Sequence, residues 1–381
     1  MDNGRTMPAA IEFELHERLD AIDARAWDAL GDGHPATSFA FLHALEASGC
    51  VGDDSGWAPR HLLGRCDGNA VAALPLYLKG HSYGEYVFDW AWADAYHRHG
   101  LEYYPKWLVA SPFSPLPGAR ILARDGHARV AAVAALDSLA SQSGLSSLHV
   151  LFCTAEESRA LAAAGLLLRE GVQFHWINRG EADFTAFLAR LNHDKRKKIR
   201  QERRKLAAEA IDFRWHDGRT ATTDDWDFFL HCYQDTYRAH RSTPYLNRDF
   251  FDRIARAAPD SVRLLIASRA GRAIASAFFL ASADALYGRY WGSAQYVPGL
   301  HFELCYYRPI EYCIAHGIHR LEGGAQGEHK MARGLEPVTT YSAHWIADER
   351  FRNALQRHLA LEGNHLDEYR GELERRTPFR R

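Results

Sequence analysis

The chain has 381 residues, of which 47% are hydrophobic and 25% are charged, and its formal net charge is −2. A chain of this length predicts about two domains, and the composition is ordinary for globular proteins with sizeable cores. The near-neutral charge excludes a global attraction to nucleic acid or anionic membranes, so any site for a polyanion must be local.

The sequence also restricts targeting, redox chemistry and metal binding. Residues 1–5 are not followed by an apolar stretch, so no signal peptide is expected, and the most apolar segment, 130–139, is too short to span a bilayer. The six cysteines are scattered without a CxxC pair, which favours a reduced cytoplasmic protein over a disulfide framework. The 21 histidines form neither an HExxH motif nor two ligand pairs at zinc spacing, so no metal site is expected.

The first half of the chain alternates helical and strand patterns. Helices are predicted at 22–30, 39–47, 127–142 and 155–164, and strands at 61–66, 70–78 and 147–153. The Asp67-Gly68 pair predicts a hairpin between the first two strands, because glycine accepts the positive φ of a tight turn. An aromatic segment, 83–107, and a proline-punctuated segment, 111–117, follow the hairpin.

The second half repeats this order of elements without repeating the sequence. Helices are predicted at 184–210, 224–237 and 302–316, and strands at 172–178, 262–268, 273–281, 285–291, 318–322 and 339–346. The repeat predicts a mixed α/β protein in which each half is a mixed sheet flanked by helices. We place an N-terminal domain at 1–178 and a C-terminal domain, which starts with a basic helix, at 179–381.

A basic run at 195–205 holds eight cations in eleven residues. Like charges four residues apart on a helix repel one another. Their density therefore favours an anionic partner such as phosphate, pyrophosphate or tRNA, and the alternative is a solvated helix face.

Two other segments combine aromatic side chains with charged ones. Segment 84–96 fits either a pocket wall or an aromatic core in which Asp89 caps a helix. On the strand at 285–291, alternation predicts that Arg289 and Trp291 share one face with Tyr287. A guanidinium is costly to bury without a partner, so a functional role for this arginine is favoured.

The loop at 322–330 is the most site-like segment of the chain. Three of its residues, Gly323, Gly324 and Gly327, allow the backbone to approach a ligand closely. Acidic and basic residues beside the glycines can transfer protons, whereas the structural alternative is a flexible loop with capping residues.

Several of these segments together resemble the FemAB-like predicted N-acyltransferases. The matching segments are 84–96, 103–106, 112–120, 173–176, 195–204, 287–292, 300–307 and, as the strongest match, 324–334. The resemblance implies two tandem GNAT-like domains and the transfer of an acyl or aminoacyl group to an amine.

The distant Fem peptidyltransferases in this family use aminoacyl-tRNA and carry a basic helix comparable to 195–205. Their Asp-Phe-Gly-Gly strand end and Phe-Lys-x-Gly-Phe turn correspond to 322–324 and 329–335, although the turn here is longer and has His329 in place of Phe. The pyrophosphate loop of acetyl-CoA-dependent GNAT enzymes is only partly matched, because 295–301 lacks a second glycine. This difference disfavours plain acetyl-CoA and leaves a longer acyl-CoA open.

The resemblance and the residue chemistry together predict direct attack of an amine on a donor ester or thioester. The catalytic candidates are Glu322, Glu328 and His329 as bases, and Lys330 or Arg333 for the oxyanion or a donor phosphate. Donor phosphates are expected at Lys195, Arg196, Lys198 and Arg200. Further substrate-binding candidates are Asp89, Trp92, Asp94, Arg289, Trp291, His301, Glu303 and Arg333.

The expected co-substrate is acyl-CoA or aminoacyl-tRNA, with no permanently bound cofactor, and the acceptor is a small-molecule or peptide amine. Neither DNA nor integral association with a membrane is expected, and the predicted location is the cytoplasm. One alternative is a non-catalytic tRNA- or RNA-binding protein, against which Glu322 and Glu328 argue. A second is a catalytically inactive scaffold on the same fold, which the intact polar loop disfavours. A covalent route through Cys305 or Cys313 is disfavoured, because cysteines in an aromatic helical setting are usually inert.

Overall fold

The computed structural model describes residues 10–324 and 327–380. Residues 1–5, on which the signal-peptide expectation depends, and Ala325 and Gln326 of the glycine-rich loop lie outside the described residues. The chain divides into two compact units. Unit 1 comprises the residues up to Pro112, Pro117–Arg169 and Tyr341–Ala360, and unit 2 comprises Phe113–Leu116, Glu170–Thr340 and the residues from Leu361 onward.

These units do not follow the predicted division between residues 178 and 179. The last strand, Glu336–Ile346, contributes its residues from Tyr341 onward to unit 1, where they pair antiparallel with Ser147–Cys153. A short segment of the first half, Phe113–Leu116, belongs to unit 2. A single domain boundary in the sequence cannot describe either segment, because strand pairing brings together parts of the chain that are distant in sequence.

Unit 1 contains two sheets. The first is antiparallel and has the order Glu12–His16, His61–Cys66, Asn69–Leu74, Leu122–Ala123. The second has the order Tyr341–Ile346, Ser147–Cys153, Lys106–Val109, Leu76–Lys79, Trp57–Pro59, and only its second and third strands are parallel. The helices before residue 170 are Ala24–Asp28, Phe39–Ala47, Trp90–Arg98, Gly126–Gln142 and Ala155–Ala163.

Unit 2 is built on one mixed sheet. Its strand order is Ile211–Asp217, Val262–Arg269, Arg272–Ala281, Ala285–Ser293, Arg320–Glu322 and then the part of Leu167–Ile177 from residue 170. Only Ala285–Ser293 and Arg320–Glu322 are parallel neighbours. The helices are Phe184–Arg190, His193–Ala207, Thr223–Ala239, Arg248–Ala257 and a helix that runs through Leu300–Phe302, Glu303–Tyr307 and Arg308–Ala315. A last helix, Glu349–Arg375, starts in unit 1 and ends in unit 2.

The predicted fold class is confirmed, because mixed sheets are flanked by helices in both units. Two of the predicted elements are each divided in the structure. The strand predicted at 70–78 is interrupted at Pro75, which has no N–H for a sheet ladder. The helix predicted at 184–210 is two helices, because Asn192 lies in extended conformation and its side chain accepts a hydrogen bond from the Lys195 N–H at 3.0 Å.

Among the described residues, no helix combines the length and the apolar character needed to cross a bilayer.

Candidate active site

Two parallel strands of unit 2 pair over only three residues and then part. The pairing joins residues 285–287 to Arg320–Glu322. Glycines follow both paired segments, and a Cβ on Gly323 would lie 2.6 Å from the Leu335 side chain and 3.1 Å from the Phe174 carbonyl oxygen. The crowding explains why this strand end needs glycine.

A cavity of about 270 Å³ lies where the strands part. We call it the aromatic cavity, and it is lined by Ala277, Phe278, Phe279, Gly288, Arg289, Tyr290, Trp291, His301, Cys305, Tyr306, Gly323, Gly324, His329 and Lys330. The predicted site residues that the structure brings together here are Arg289, Trp291, His301, His329 and Lys330.

A β-bulge shapes one wall of the aromatic cavity. In the pairing with the neighbouring strand, Phe278 faces Tyr290 and Phe279 faces Gly288, so Arg289 is the extra residue. The predicted alternation of Tyr287, Arg289 and Trp291 on one face therefore does not hold, and consecutive residues from Gly288 to Trp291 line the cavity. Bulges commonly re-aim side chains beside functional sites.

The extra arginine is held by contacts within unit 2. Its guanidinium donates a hydrogen bond to the Phe113 carbonyl oxygen and another to the Tyr290 hydroxyl at 3.2 Å. It also lies over the Tyr290 ring, 5.0 Å from the ring centroid. These contacts fix the guanidinium of Arg289 at the cavity wall.

The second wall is the helix after Gly299, which contains a π turn at Glu303–Tyr307. His301, Cys305 and Tyr306 of this helix line the aromatic cavity, whereas Glu303 binds Arg203 on another surface. Turns of this kind are frequent at functional sites, because the extra residue changes which side chains share a face.

Lys330 lies in a short 3₁₀ turn, Glu328–Arg333, which we call the lysine turn. This residue is only 4% exposed. Its Nζ donates to the Gly324 carbonyl oxygen at 2.8 Å, the one side-chain hydrogen bond it makes in the described part of the chain. Burial lowers the pKa of Lys330 to about 8, so the ammonium predominates at neutral pH and can donate to a further oxygen.

Two histidines of the aromatic cavity are held neutral by their surroundings. His329 is exposed, but partial desolvation, followed by the charges of Lys330 and Arg333, lowers its pKa, and its Nε2 lies 3.2 Å from the Tyr306 hydroxyl. Burial and the neighbouring basic groups lower the pKa of His301 to about 4. The His301 ring lies 4.8 Å from Trp291, measured between centroids.

The two glutamates predicted as bases do not line the aromatic cavity. Glu322 is buried at the strand end, where its Oε1 accepts from Arg320 Nε at 3.0 Å and its Oε2 lies 3.9 Å from His175 Nε2. Glu328 is exposed and accepts hydrogen bonds from Tyr369 at 3.0 Å and Arg376 at 3.2 Å. His329 is therefore the predicted base that the structure places in the cavity.

Arg333 ends the lysine turn and connects it to the basic helix His193–Ala207. It donates to the His329 carbonyl oxygen at 3.0 Å and to Glu202 Oε1 at 3.2 Å. It also stacks on Phe302, 3.7 Å from the ring centroid. Arg333 lies outside the cavity wall and supports the turn that presents Lys330.

The basic helix borders a second depression, of about 780 Å³, which we call the basic groove. It is lined by Phe184, Thr185, Leu188, Arg200, Arg203, Arg204, Leu206, Ala207, Ala210, Ile211, Asp212, Phe213, Glu303 and Arg308. Of the four predicted phosphate-binding residues, only Arg200 lines it, whereas Lys195, Arg196 and Lys198 do not. In the described residues, neither Arg200 nor Arg204 forms an ion pair with a carboxylate.

Glu303 neutralises the floor of the basic groove. Its carboxylate accepts two hydrogen bonds from Arg203, at 2.7 and 3.1 Å, and pairs with Arg308 at 2.9 Å. Glu311 pairs with the same two arginines. The predicted substrate-binding residue Glu303 is thus occupied in an ion-pair network.

The three predicted substrate-binding residues of the first half lie in unit 1 and differ in their surroundings. Asp89 is buried and bound to Lys106 and Tyr103. Trp92 is buried, with its ring 4.9 Å from that of His344. Asp94 is exposed and pairs with Arg98 at 3.0 Å.

Several residues of these surfaces were not among the sequence-based candidates. They are Gly288, Tyr290, Cys305 and Tyr306 in the aromatic cavity and Arg203, Arg204 and Arg308 in the basic groove. Arg203 and Arg204 belong to the basic run, so helical spacing from Arg200 could have identified them. The cavity residues depend on the bulge and the π turn, which no local pattern indicates.

Comparison with known proteins gives the family. The model of the FemAB-like family, described as peptidoglycan biosynthesis/recognition, matches residues 18–381. No protein of curated function matches the sequence.

The solved structures that are similar to the chain include three of related architecture. FemX is 11% identical, with 88% of this chain and 98% of FemX covered and a TM-score of 0.55. The C-terminal domain of a putative lysylphosphatidylglycerol synthetase from Agrobacterium fabrum is 12% identical. The match covers 90% of this chain and 96% of that domain, with a TM-score of 0.53. A tandem GNAT protein from the clavulanic acid biosynthesis pathway is 13% identical. The match covers 89% of this chain and 99% of that protein, with a TM-score of 0.45. The first two likenesses show the fold, and the match of the family model over nearly the whole chain shows that it belongs to the FemAB-like family.

Proposed function

We propose that the chain is an N-acyltransferase in which an acceptor amine attacks the carbonyl carbon of an activated donor directly. The observation that carries the proposal is the pairing of a buried lysine with a neutral histidine in one cavity. Lys330 supplies an ammonium with N–H groups left to donate, and His329 supplies a proton acceptor beside it. Membership of the FemAB-like family supports a transferase.

The two groups have complementary tasks in this reaction. Attack of the amine nitrogen forms a C–N bond and moves the carbonyl electrons onto oxygen, where the Lys330 ammonium donates a hydrogen bond to the oxyanion. The His329 imidazole accepts the proton that the nitrogen loses. Collapse of the adduct breaks the bond to the carrier, and the alkoxide or thiolate leaves with a proton.

The basic groove supports a donor whose carrier bears phosphates. Arg200 and Arg204 provide fixed positive charges at its rim, and Phe184 and Phe213 provide apolar area. Both acyl-CoA and aminoacyl-tRNA carry phosphates next to a transferable acyl group. The acceptor is an amine of a small molecule or peptide, and the proposed location is the cytoplasm.

The proposal is tested with hydroxylamine as a surrogate acceptor, because its attack on a donor yields a hydroxamate that mass spectrometry detects. Wild-type protein is incubated with a panel of acyl-CoAs and with total aminoacylated tRNA, and Lys330→Met serves as the matched variant. We expect hydroxamate from at least one donor, with a loss of about 10²-fold or more in Lys330→Met. Equal, background-level formation with both proteins would contradict acyl transfer and favour the non-catalytic RNA-binding or scaffold alternative.

A further inference from the structure

The wall of the aromatic cavity contains no carboxylate among its described residues. Its basic and titratable groups are Arg289, His301, His329, Lys330 and the Cys305 thiol, together with two tyrosines. The remaining described wall is aromatic, aliphatic or glycine. The two residues between Gly324 and Gly327 are alanine and glutamine, which bring no acid by composition.

The charges that face the cavity are therefore positive or absent. Lys330 is mainly protonated at neutral pH, and the two histidines are neutral because partial desolvation and the neighbouring positive charges lower the pKa of each. An ammonium group that enters such a cavity loses water and finds no counter-ion, and it lies beside the like charge of Lys330. Both effects oppose its binding.

This charge distribution indicates which part of the substrates the cavity binds. In N-acyl transfer the acceptor amine attacks in its neutral form, and His329, which accepts its proton, is exposed and open to solvent. A cavity that disfavours ammonium groups is therefore unsuited to hold the acceptor before the attack. The acyl group of the donor has no such requirement. A volume of about 270 Å³ lies below the range of about 300–1,000 Å³ that holds drug-sized ligands, so the cavity suits a small group and not a nucleotide carrier.

We infer that the aromatic cavity binds the acyl group of the donor and selects acyl groups that carry no free amine. The inference rests on the proposed function and narrows its donor class to simple acyl groups, as opposed to aminoacyl groups. The flat walls formed by Tyr290, Trp291 and Tyr306 favour apolar acyl chains, and Lys330 lies where the carbonyl oxygen of such a group can accept its hydrogen bond.

The test compares three thioesters of N-acetylcysteamine, which present the acyl group without a nucleotide carrier. The isobutyryl, lactoyl and alanyl thioesters have the same shape and carry a methyl, a hydroxyl or an ammonium group at one position. With hydroxylamine as acceptor, a C–N bond forms, the C–S bond breaks, and the released thiol is measured. We expect the wild-type protein to use the isobutyryl and lactoyl thioesters at least about tenfold faster than the alanyl thioester, because the ammonium group loses its solvation.

Two other outcomes separate this inference from the proposed function. Equal or faster use of the alanyl thioester would overturn the selection against amines and leave acyl transfer standing. If no thioester reacts faster with the wild-type protein than with Lys330→Met, the inference fails. The proposed function fails with it only if the acyl-CoAs and aminoacylated tRNA also give equal, background-level hydroxamate with both proteins.

A pair of variants at one wall position tests whether charge causes the selectivity. His301→Glu places a carboxylate in the cavity, and His301→Gln changes the same side chain without adding charge. We expect the lactoyl-to-alanyl rate ratio to fall towards one in His301→Glu and to remain high in His301→Gln. An unchanged ratio in His301→Glu, with both variants folded, would assign the selectivity to shape and overturn the electrostatic argument.

Discussion

Arg333 donates a hydrogen bond to Glu202 at 3.2 Å and thereby joins the lysine turn to the basic helix. The second oxygen of the same carboxylate accepts from the Tyr307 hydroxyl at 2.5 Å. One side chain of the basic helix therefore contacts both the turn that carries Lys330 and the helix that forms a wall of the aromatic cavity. The surface expected to hold the carrier and the cavity expected to hold the acyl group share this support.

Removing Glu202 is expected to cost both stability and activity. Glu202→Ala leaves Arg333 without its carboxylate partner, so we expect the free energy of unfolding to fall by about 1–3 kcal/mol. Hydroxamate formation should fall by about tenfold or more, because the turn no longer holds Lys330 in place. Urea unfolding and the hydroxylamine assay measure the two effects.

Two variants of the basic helix provide the comparison. Glu202→Gln keeps a hydrogen-bond acceptor and should lose less stability than Glu202→Ala. Gln201→Ala changes an exposed neighbour and should differ from wild type by no more than about 0.5 kcal/mol. If Glu202→Ala and Gln201→Ala change the free energy of unfolding and hydroxamate formation equally, the contact of Glu202 with Arg333 contributes to neither stability nor activity.

The pH dependence of transfer should follow two groups with opposite requirements. His329 must be neutral to accept a proton, and its lowered pKa places the acid limb below the ordinary range of histidine. Lys330 must be charged to stabilise the oxyanion, and its pKa of about 8 places the alkaline limb there. The rate should therefore rise as His329 deprotonates, pass through a maximum near neutral pH, and fall as Lys330 deprotonates.

Two variants test which residue causes each limb of the pH–rate profile. Lys330→Arg keeps the charge to much higher pH, so the residual activity should lose its alkaline limb near pH 8. His329→Gln should remove the acid limb and lower the maximum. A rate that increases steadily through pH 8 would instead make neutral Lys330 the base and contradict the roles proposed for these residues.

The sequence pointed to the parts of the candidate site that depend on local chemistry. The glycines of the loop and the neighbouring Lys330 identified the strand end, and the basic run identified the helix beside the groove. The sequence did not predict that Glu328 would bind Tyr369 and Arg376. Those two residues belong to the C-terminal region, where no helix was predicted, so the contact is set by tertiary structure.

Strand register and pairing between distant segments account for the other differences between the predictions and the structure. The bulge at Arg289 depends on how its strand pairs with Arg272–Ala281, and a one-residue insertion reverses the face of the following side chains. The assignment of Tyr341–Ala360 to unit 1 depends on pairing with a strand almost 200 residues earlier, such as the contact of His344 with His149. Neither feature has a signature in the local pattern of residues.

A buried ion cluster in unit 1 is expected to be important for stability. Lys106 Nζ contacts Glu85 at 2.9 Å, Ser82 at 3.0 Å and the carboxylate of Asp89. Burial lowers the pKa of Lys106, but the two carboxylates outweigh it, so the pKa is raised. Burial also raises the pKa of Glu85 to about 7 against the effect of Lys106.

Removing the cation should leave both carboxylates without their ammonium partner, although Asp89 still accepts a hydrogen bond from the Tyr103 hydroxyl. We expect Lys106→Met to lower the free energy of unfolding by about 3–5 kcal/mol, measured by urea denaturation at neutral pH. Lys106→Met combined with Asp89→Asn should regain part of the loss, because Asn carries no charge and Glu85 can take up a proton. A loss below about 1 kcal/mol for Lys106→Met would contradict the dependence of unit 1 on this cluster.

If the carrier binds in the basic groove, its affinity should depend on the basic residues that line the groove and not on those elsewhere on the basic helix. Arg200 and Arg204 line the groove, whereas Lys195 and Lys198 do not. In filter binding of total tRNA between about 50 and 200 mM salt, each lost phosphate contact should reduce the logarithmic salt slope by about 1. Changing Arg200 and Arg204 to alanine should therefore weaken binding and flatten the slope by about 2.

The matched variant changes Lys195 and Lys198 to alanine and removes the same charge from the same helix. A similar response to both pairs would mean that tRNA senses only the overall charge of the helix and not the groove. Titration of coenzyme A by calorimetry under the same conditions separates the two carriers. If the groove variant loses affinity for coenzyme A and keeps its affinity for tRNA, the groove binds a nucleotide pyrophosphate, which agrees with a cavity that selects simple acyl groups. If only tRNA binding responds, the carrier is an RNA, and the acyl selectivity must then be tested on acylated tRNA, because carrier and acyl group are recognised at separate surfaces.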